Sequence, residues 1–399
     1  RFGRRRIFTL GLAVFSLGSA AAALAPSATW LIAARAVQGA GAAMVTPLTL
    51  TLLSAAVRPE RRGLALGAWG GIGGLAVAVG PIVGGAVVQG ISWQWIFWLN
   101  VPIGLALAPL ARVRLTESRG PDRHLDLAGL ALASAGLFAV VWGLVRANSQ
   151  GWTSPEILSS LAAGVLVLAI FVTYEFRARA PMLPMRFFRN RTFSGANVAS
   201  MLMFFGMFGS VFLLAQFFQT VQGLSPLGAG MRILPWTAMP LLVAPTAGAL
   251  SDRISGRTLL ALGLALQAAG LFWIAQVTTA TTPYSSLVIP FVLSGIGMGL
   301  FFAPVANLVL SSVRRENEGK ASGANNAIRE LGGVLGVAVL ASIFAHSGGY
   351  TSSHAFVAGV VPAITVGSIV VAVGALAAAL IPGRRRVTVS EAAVEVIAA

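Results

Sequence analysis

The chain is a succession of long apolar runs with almost nothing but short turns between them. They lie at roughly 7–26, 30–54, 64–90, 94–111, 127–147, 157–176, 193–219, 227–250, 258–279, 285–312, 321–345 and 355–382. A helix needs about 20 apolar residues to cross the hydrocarbon of a bilayer, and each run is close to that length or longer. The breaks carry turn residues: "APSAT" at 25–29, "RPERRG" at 58–63, "GISW" at 90–93 and "TTATTPYSS" at 278–286. Only 10% of the 399 residues are charged, where a soluble domain has about 25%. The reading is an all-α membrane protein with twelve transmembrane helices and both ends on one side, and the lipid bilayer as its solvent. The first residues do not form a cleavable signal peptide.

Basic residues test that count. Arg1, Arg4, Arg5 and Arg6, then Arg58, Arg61 and Arg62, then the arginines of 112–123, 177–191, 253–257, 314–320 and 384–386, all fall in alternate breaks; Arg35, Arg146, Arg232 and Arg329 are the exceptions. A miscounted helix would scramble the alternation. The positive-inside rule therefore puts both ends in the cytoplasm, with the chain spanning the plasma (inner) membrane. The net charge of +16 sits in clusters between apolar runs and not on one face, so nucleic acid is not an expected partner. With no cysteine, disulfides, thiolate catalysis and zinc–cysteine sites are excluded. The phosphate loop G-x-x-x-x-G-K-[ST] is absent, which excludes an ATP-driven pump. His124, His346 and His354 read as loop residues, and no acid–histidine cluster shares a helix face, so neither an enzyme nor a metal centre is expected.

An internal repeat is visible. "RPERRGLALG" at 58–67 matches "RRENEGKASG" at 314–323, and Gly80 continues the register on Gly336. Upstream, "QGAG" at 38–41 falls on "SGIG" at 294–297, and "RFGRRRIF" at the start parallels "RISGRTLL" at 253–260 with one residue inserted. Two membrane bundles related by duplication follow. They cover 1–115 and 191–385, joined by a two-helix insert at 116–190 and followed by a tail at 386–399. The second copy has two helices ahead of its "GALSDRISGR" that the first copy lacks before Arg1. The expectation is a layout of fourteen helices, twelve of them in this chain.

Four stretches carry chemistry. In "LIAARAVQGAGAA", Arg35 stands in an apolar run, with Gln38 one turn on and Gly39 and Gly41 beyond it; glycine exposes backbone and Gln38 offers an acceptor. In "GGLAVAVGPIVGG", Gly73, Gly80 and Gly84 lie on one side as a small-residue stripe for close helix approach, Pro81 bends the helix, and Gly85 completes the motif. In "GALSDRISGR", Gly248, Asp252, Arg253, Gly256 and Arg257 suit a helix cap and a charge latch, with Asp252 as the cap. In "SWQWIFWLNVPIG", Trp93, Trp95, Phe97 and Trp98 suit an interfacial anchor.

These stretches and the layout resemble the fourteen-helix drug:proton antiporters of the major facilitator superfamily. The resemblance covers essentially the whole chain. It implies a secondary transporter, with a small-molecule substrate and protons as partners, the proton gradient as energy source and no cofactor. It implies that Arg35, Gln38, Gly39 and Gly41 serve proton coupling, that the Gly-Pro segment favours export over uptake, and that the protein acts as a monomer. The family places a proton-carrying acid in a first helix that this chain lacks. Gln94 stands where the family usually has arginine, so an ion pair there is not implied. An uptake permease for a small solute is the alternative reading. A substrate path in the second half would use Asn197, Phe212, Gln216, Gln219, Asn307, Asn325, Asn326 and Arg329, with Phe204, Phe205, Phe217 and Phe218 around them. Arg329 and Glu330, being adjacent, are not expected to pair.

Overall fold

The computed structural model describes residues 3–57, 62–117, 126–250 and 254–382. Among them the elements are helical and run α1 (Arg4–Ala23), α2 (Ala28–Ala56), α3 (Arg62–Gly90), α4 (Trp95–Trp98), α5 (Asn100–Arg114), α6 (Leu127–Gln150) and α7 (Pro155–Arg177). After a 3-10 turn at Met185–Arg189 follow α8 (Arg191–Gln216), α9 (Pro226–Thr237), α10 (Met239–Leu250), α11 (Gly256–Val277), α12 (Ser285–Ser311), α13 (Glu318–Ser347) and α14 (Ser353–Ala379). Ten segments among the described residues are long and apolar enough to cross a membrane. The helices α2 and α3, each of 29 residues, are also long enough and bring the segments of spanning length to the twelve expected.

Polar residues at the breaks set the helix starts. Ser27, Asp126, Ser154, Asn190, Ser225, Ser255 and Ser352 each accept a backbone N–H of the turn they open, satisfying donors that lipid could not. Pro155 and Pro226 occupy first-turn positions, where a missing N–H costs nothing. The segment expected at 227–250 is broken at Ala238, between α9 and α10; Pro235 and Pro240 flank the break, and each deletes a helix hydrogen bond. The segment expected at 193–219 ends in a π turn, Phe217–Val221, followed by Gly223 at φ 64°, a left-handed backbone that glycine adopts without strain. His346 and His354 lie in the end turns of α13 and α14, not in loops.

The packing repeats. In the first half α1 packs on α2 and α5; in the second, α11 packs on α12 and α14. α8 lies against α13 and α14, and α6 lies against α7 and α13. The helix α3 makes its main contacts with α9 and α10 of the other half, not with its own bundle. The tightest core is in the second half, where Phe217, Phe218, Trp236, Phe291, Phe301 and Phe356 are fully buried. Trp236 stacks on Phe291 at 6.2 Å, and Phe344 meets Phe356 edge-on at 4.8 Å. Lipid tails are as apolar as these rings, so close packing stabilises the core more than escape from water does. Phe217 and Phe218, placed on a substrate path by their sequence context, are core residues. Leu17, Leu105, Val113 and Leu380 lie mostly exposed, as lipid-facing side chains do.

Candidate functional site

The α1–α2 seam is a glycine interlock. A Cβ at Gly18 would lie 2.6 Å from the Gln38 amide nitrogen, and one at Gly41 would strike the backbone of Phe15. Close backbone approach is what small residues allow in membranes. It brings Ser19, fully buried, against Gln38, which is 2% exposed, and the Gln38 amide donates to the Ser19 hydroxyl. The Gln38 carbonyl in turn accepts from Arg35 Nη1 at 2.5 Å. Arg35 is exposed, and its guanidinium lies 5.8 Å from the Phe97 ring centroid, within cation–π range. The arginine thus has one buried acceptor and one aromatic face. No acidic side chain among the described residues forms an ion pair with it. Gly39 has no neighbour within 4 Å of a Cβ and does not cradle the arginine; Gly41, two residues on, sits in the seam.

The same interlock recurs in the second half. Gly270 meets Ser294 as Gly18 meets Gln38, and Gly297 meets the Gln267 backbone as Gly41 meets Phe15. Gly263 meets the Gly297 carbonyl as Gly11 meets that of Gly41. "QGAG" and "SGIG" therefore occupy equivalent places in space, and the duplication read from the sequence holds at the level of backbone contacts.

The two halves cross at α3 and α9. A Cβ on Gly85 would lie 2.6 Å from the Pro226 carbonyl oxygen and 2.8 Å from Leu227 Cα; one on Gly230 would lie 2.5 Å from the Pro81 carbonyl oxygen. The contact is reciprocal: Pro81 and Gly85 on α3 face Gly230 and Pro226 on α9, each pair four residues apart and so on one helix face. The stripe expected from the sequence was Gly73, Gly80 and Gly84, and among the described residues nothing lies within 4 Å of a Cβ on any of the three. The error is one residue, or about 100° around the helix. Gly336, the repeat partner of Gly80, does pack on a backbone, that of Phe205 in α8.

Inside the second half, α8 and α13 share a polar cluster. Asn325 Nδ2 donates to Asn197 Oδ1 at 3.0 Å and to Ser200 Oγ at 3.1 Å, while Asn197 Nδ2 donates to the Phe193 carbonyl. One turn along, Arg329 donates to Asn326 Oδ1 at 2.8 Å, lies 4.7 Å over the Phe204 ring, and keeps a buried Nε without a partner. Its Nη2 comes within 3.9 Å of Glu330, so these neighbours do approach, at the outer limit of pairing. The other path residues lie apart. Gln216 accepts from the Tyr350 hydroxyl, Gln219 bonds back to the Ala215 carbonyl, and Asn307 is exposed on α12. Phe212 lines a separate, mostly apolar cavity of about 450 Å³ with Val145, Phe208 and Glu330.

At the arginine-rich ends, one device serves both halves. Arg5, at the start of α1, donates to the Arg112 and Leu115 carbonyls at the end of α5 and pairs with Glu117 at 3.7 Å. Arg257, at the start of α11, donates to the Ile381 carbonyl just past α14. Unpaired carbonyls end every helix, and an arginine from a neighbour satisfies them here. Of the latch expected around Asp252, Gly248, Gly256 and Arg257 fall among the described residues. Ser255 caps α11, and Arg257 binds a carbonyl. Asp252 and Arg253 lie outside the described residues, as do Ser118 and His124. Gly248 has no neighbour within 4 Å of a Cβ, and Gly256 meets only Leu308 at ordinary distance.

Residues 1–337 match the major facilitator superfamily. The chain belongs to the major facilitator superfamily. The tetracenomycin C resistance and export protein of Streptomyces glaucescens is 35% identical over 86% of this chain. The methylenomycin A resistance protein of Streptomyces coelicolor is 36% identical over 85% of it. The chain spans 64% of the former's length and 72% of the latter's. Among solved structures, a POT family transporter in complex with a thioalcohol-conjugated peptide superposes with a TM-score of 0.67, at 15% identity, over 94% of this chain and 80% of that one. The human organic anion transporter MFSD10 gives a TM-score of 0.61, at 15% identity, over 94% of this chain and 77% of that one. At such identity the likeness is one of fold.

In this member of the superfamily, several working residues went unread in the sequence. Gly18 and Gly230 belong to none of the four stretches singled out, although Pro226–Gly230 repeats the Pro81–Gly85 spacing. Phe97 was read as an interfacial anchor, whereas it faces Arg35. The polar cluster yields a stability prediction. Asn325→Leu removes both donated hydrogen bonds and leaves Asn197 Oδ1 buried without a donor, a loss of about 1–3 kcal/mol. A lowered melting temperature of the purified protein, with Asn307→Leu unchanged, is the expected result.

Proposed function

We propose that this chain is the transport body of a proton-coupled exporter of amphipathic small molecules, acting as a monomer in the plasma membrane. The observation that carries this reading is the α3–α9 crossing: the segment resembling the family's antiporter motif is the one on which the two halves meet. Rocking about a fixed seam is how duplicated transporters alternate access, and a crossing where a glycine on each helix meets the other's backbone lets the two pivot at contact distance. The names of the relatives, resistance and export proteins for tetracenomycin C and methylenomycin A, support export as the direction. Residues 116–190 serve as an insert joining the bundles: α6 and α7 pack mainly on each other.

Within this proposal, Arg35 is the fixed cation of proton coupling, held by Gln38 and Ser19. A cation beside a carboxyl favours its ionised form and so hastens proton release. The polar path runs along α8 and α13, where Arg329, Asn326 and Phe204 offer a cation, an amide and a ring face to an amphipathic substrate. Cells expressing the full reading frame should accumulate less of an amphipathic dye than control cells, and should recover accumulation when the proton gradient is collapsed. Accumulation above the control would instead favour uptake.

Orientation has its own test in this cysteine-free background. Single cysteines at Ser118 and Thr281 should label from opposite sides, with Thr281 reactive in intact cells and Ser118 protected until the cells are opened. The reverse pattern would overturn the alternation of arginines as a guide.

A further inference from the structure

Asp126 and Glu175 stand at the arginine-rich ends of α6 and α7, outside both the proposed path and the α3–α9 crossing. Asp126 caps α6 through the Gly129 amide at 2.7 Å, and its second oxygen accepts the Met182 amide at 3.3 Å. Glu175 is 2% exposed, and its Oε2 accepts the Leu183 amide at 3.1 Å. Its other oxygen, Oε1, is buried and has no donor among the described residues. That oxygen is aimed at Asp126: a single point beside Gly129 lies 2.7 Å from Glu175 Oε1 and 2.7 Å from Asp126 Oδ2. Two buried carboxylates so placed repel each other and leave a desolvated oxygen unpaired, whereas one proton between them removes both costs.

We infer that Asp126 and Glu175 form a proton-binding site that clasps the connector at 178–184 to the α6–α7 hairpin. The proton sits on Glu175 Oε1 and is donated to Asp126 Oδ2, leaving the pair with one negative charge and every oxygen engaged. It comes from, and returns to, water on the arginine-rich side, through an open cavity of about 630 Å³ that Asp126, Tyr174 and Arg179 line. Other charged or titratable groups face the site. Tyr174 and Arg179 share the cavity with Asp126, and Lys320 of α13 donates to the Pro181 carbonyl at 3.0 Å. The connector is therefore held from two sides, by the carboxyl pair and by the start of α13, the helix that carries Asn325 and Arg329. Loss of the proton sets two carboxylates against each other and frees the Met182 and Leu183 amides from the hairpin.

Amide hydrogen exchange of the full-length protein, followed across pH and corrected for base catalysis, tests this. In the wild type the Met182 and Leu183 amides should exchange about tenfold faster once the shared proton is lost. Glu175→Gln, whose amide donates to Asp126 as the protonated acid does, should keep them protected at every pH. An infrared band of a protonated carboxyl should be present in the wild type and absent in Glu175→Gln. If that variant fails to fold, Asp126→Asn, whose amide nitrogen donates to Glu175 but no longer accepts from Met182, should lose the infrared band and the pH response of the Leu183 amide. Protection that ignores pH in the wild type, or a pH response undiminished in the variant, would overturn the site. So would protection that follows sodium concentration at constant pH, which would make the ligand a metal cation.

Discussion

Gly85→Leu should abolish export while leaving the protein in the membrane. Its Cβ would start 2.6 Å from the Pro226 carbonyl oxygen and 2.8 Å from Leu227 Cα. Both are backbone atoms of α9, which cannot turn aside as a side chain can. Overpacking a tight contact costs about 1–3 kcal/mol, and here the strain falls on the pivot between the halves, while the outer surface is unchanged. Gly84→Leu is the control. It lies one residue away, in the same motif, with open space around it, and should export at the wild-type rate. Dye efflux from cells, with membrane abundance measured alongside, distinguishes the two. Equal activity would mean that the crossing is not the pivot.

The second large effect is expected at Arg35. Arg35→Ala removes the guanidinium but leaves Gln38 bonded to Ser19, so the α1–α2 interlock and the fold survive. Without the cation, the carboxyl that carries the proton holds it more tightly, and proton release becomes the slow step. Export driven by an imposed pH gradient should fall at least about tenfold, the loss expected from about 1.4 kcal/mol at the proton-release step, and its rise with pH should shift to higher pH. Substrate binding without a gradient should persist. Arg35→Lys should rescue only partly, because a compact ammonium does not reproduce the fork that meets Gln38 and lies by Phe97. If Arg35→Ala keeps its pH dependence and Glu330→Gln loses it, the coupling role belongs to Glu330, which lines the cavity beside Phe212.

Much of the fold was readable because lipid imposes simple rules. Apolar length marked the helices, and the short repeats at 38–41 and 294–297 fall at seams with corresponding backbone contacts. What escaped was rotation and distance. A glycine pattern does not say which side of α3 meets its neighbour, and an error of 100° moved the contact from Gly80 and Gly84 to Pro81 and Gly85. Arg257 donates to a carbonyl 124 residues away, a contact that no local motif shows. Nothing in the sequence pattern marks Asp126 and Glu175 as partners. Their meeting beside Gly129 depends on how α6 and α7 pair, which the sequence pattern does not encode. The separation of Gln216, Gln219 and Asn307 from the Asn325 cluster has the same origin, since each polar residue was placed by depth and not by face.

In proton-coupled export, substrate leaves against entering protons. Inside-out vesicles carrying the protein from its full reading frame, energised to an acidic interior, test it directly: an amphipathic substrate is added and the interior pH is followed. Export of the substrate into the vesicle lumen should release protons, so the interior should become less acidic on addition, saturably, and not in vesicles carrying Gly85→Leu. A substrate that accumulates with no change in interior pH, or that raises interior acidity, would contradict proton-coupled export.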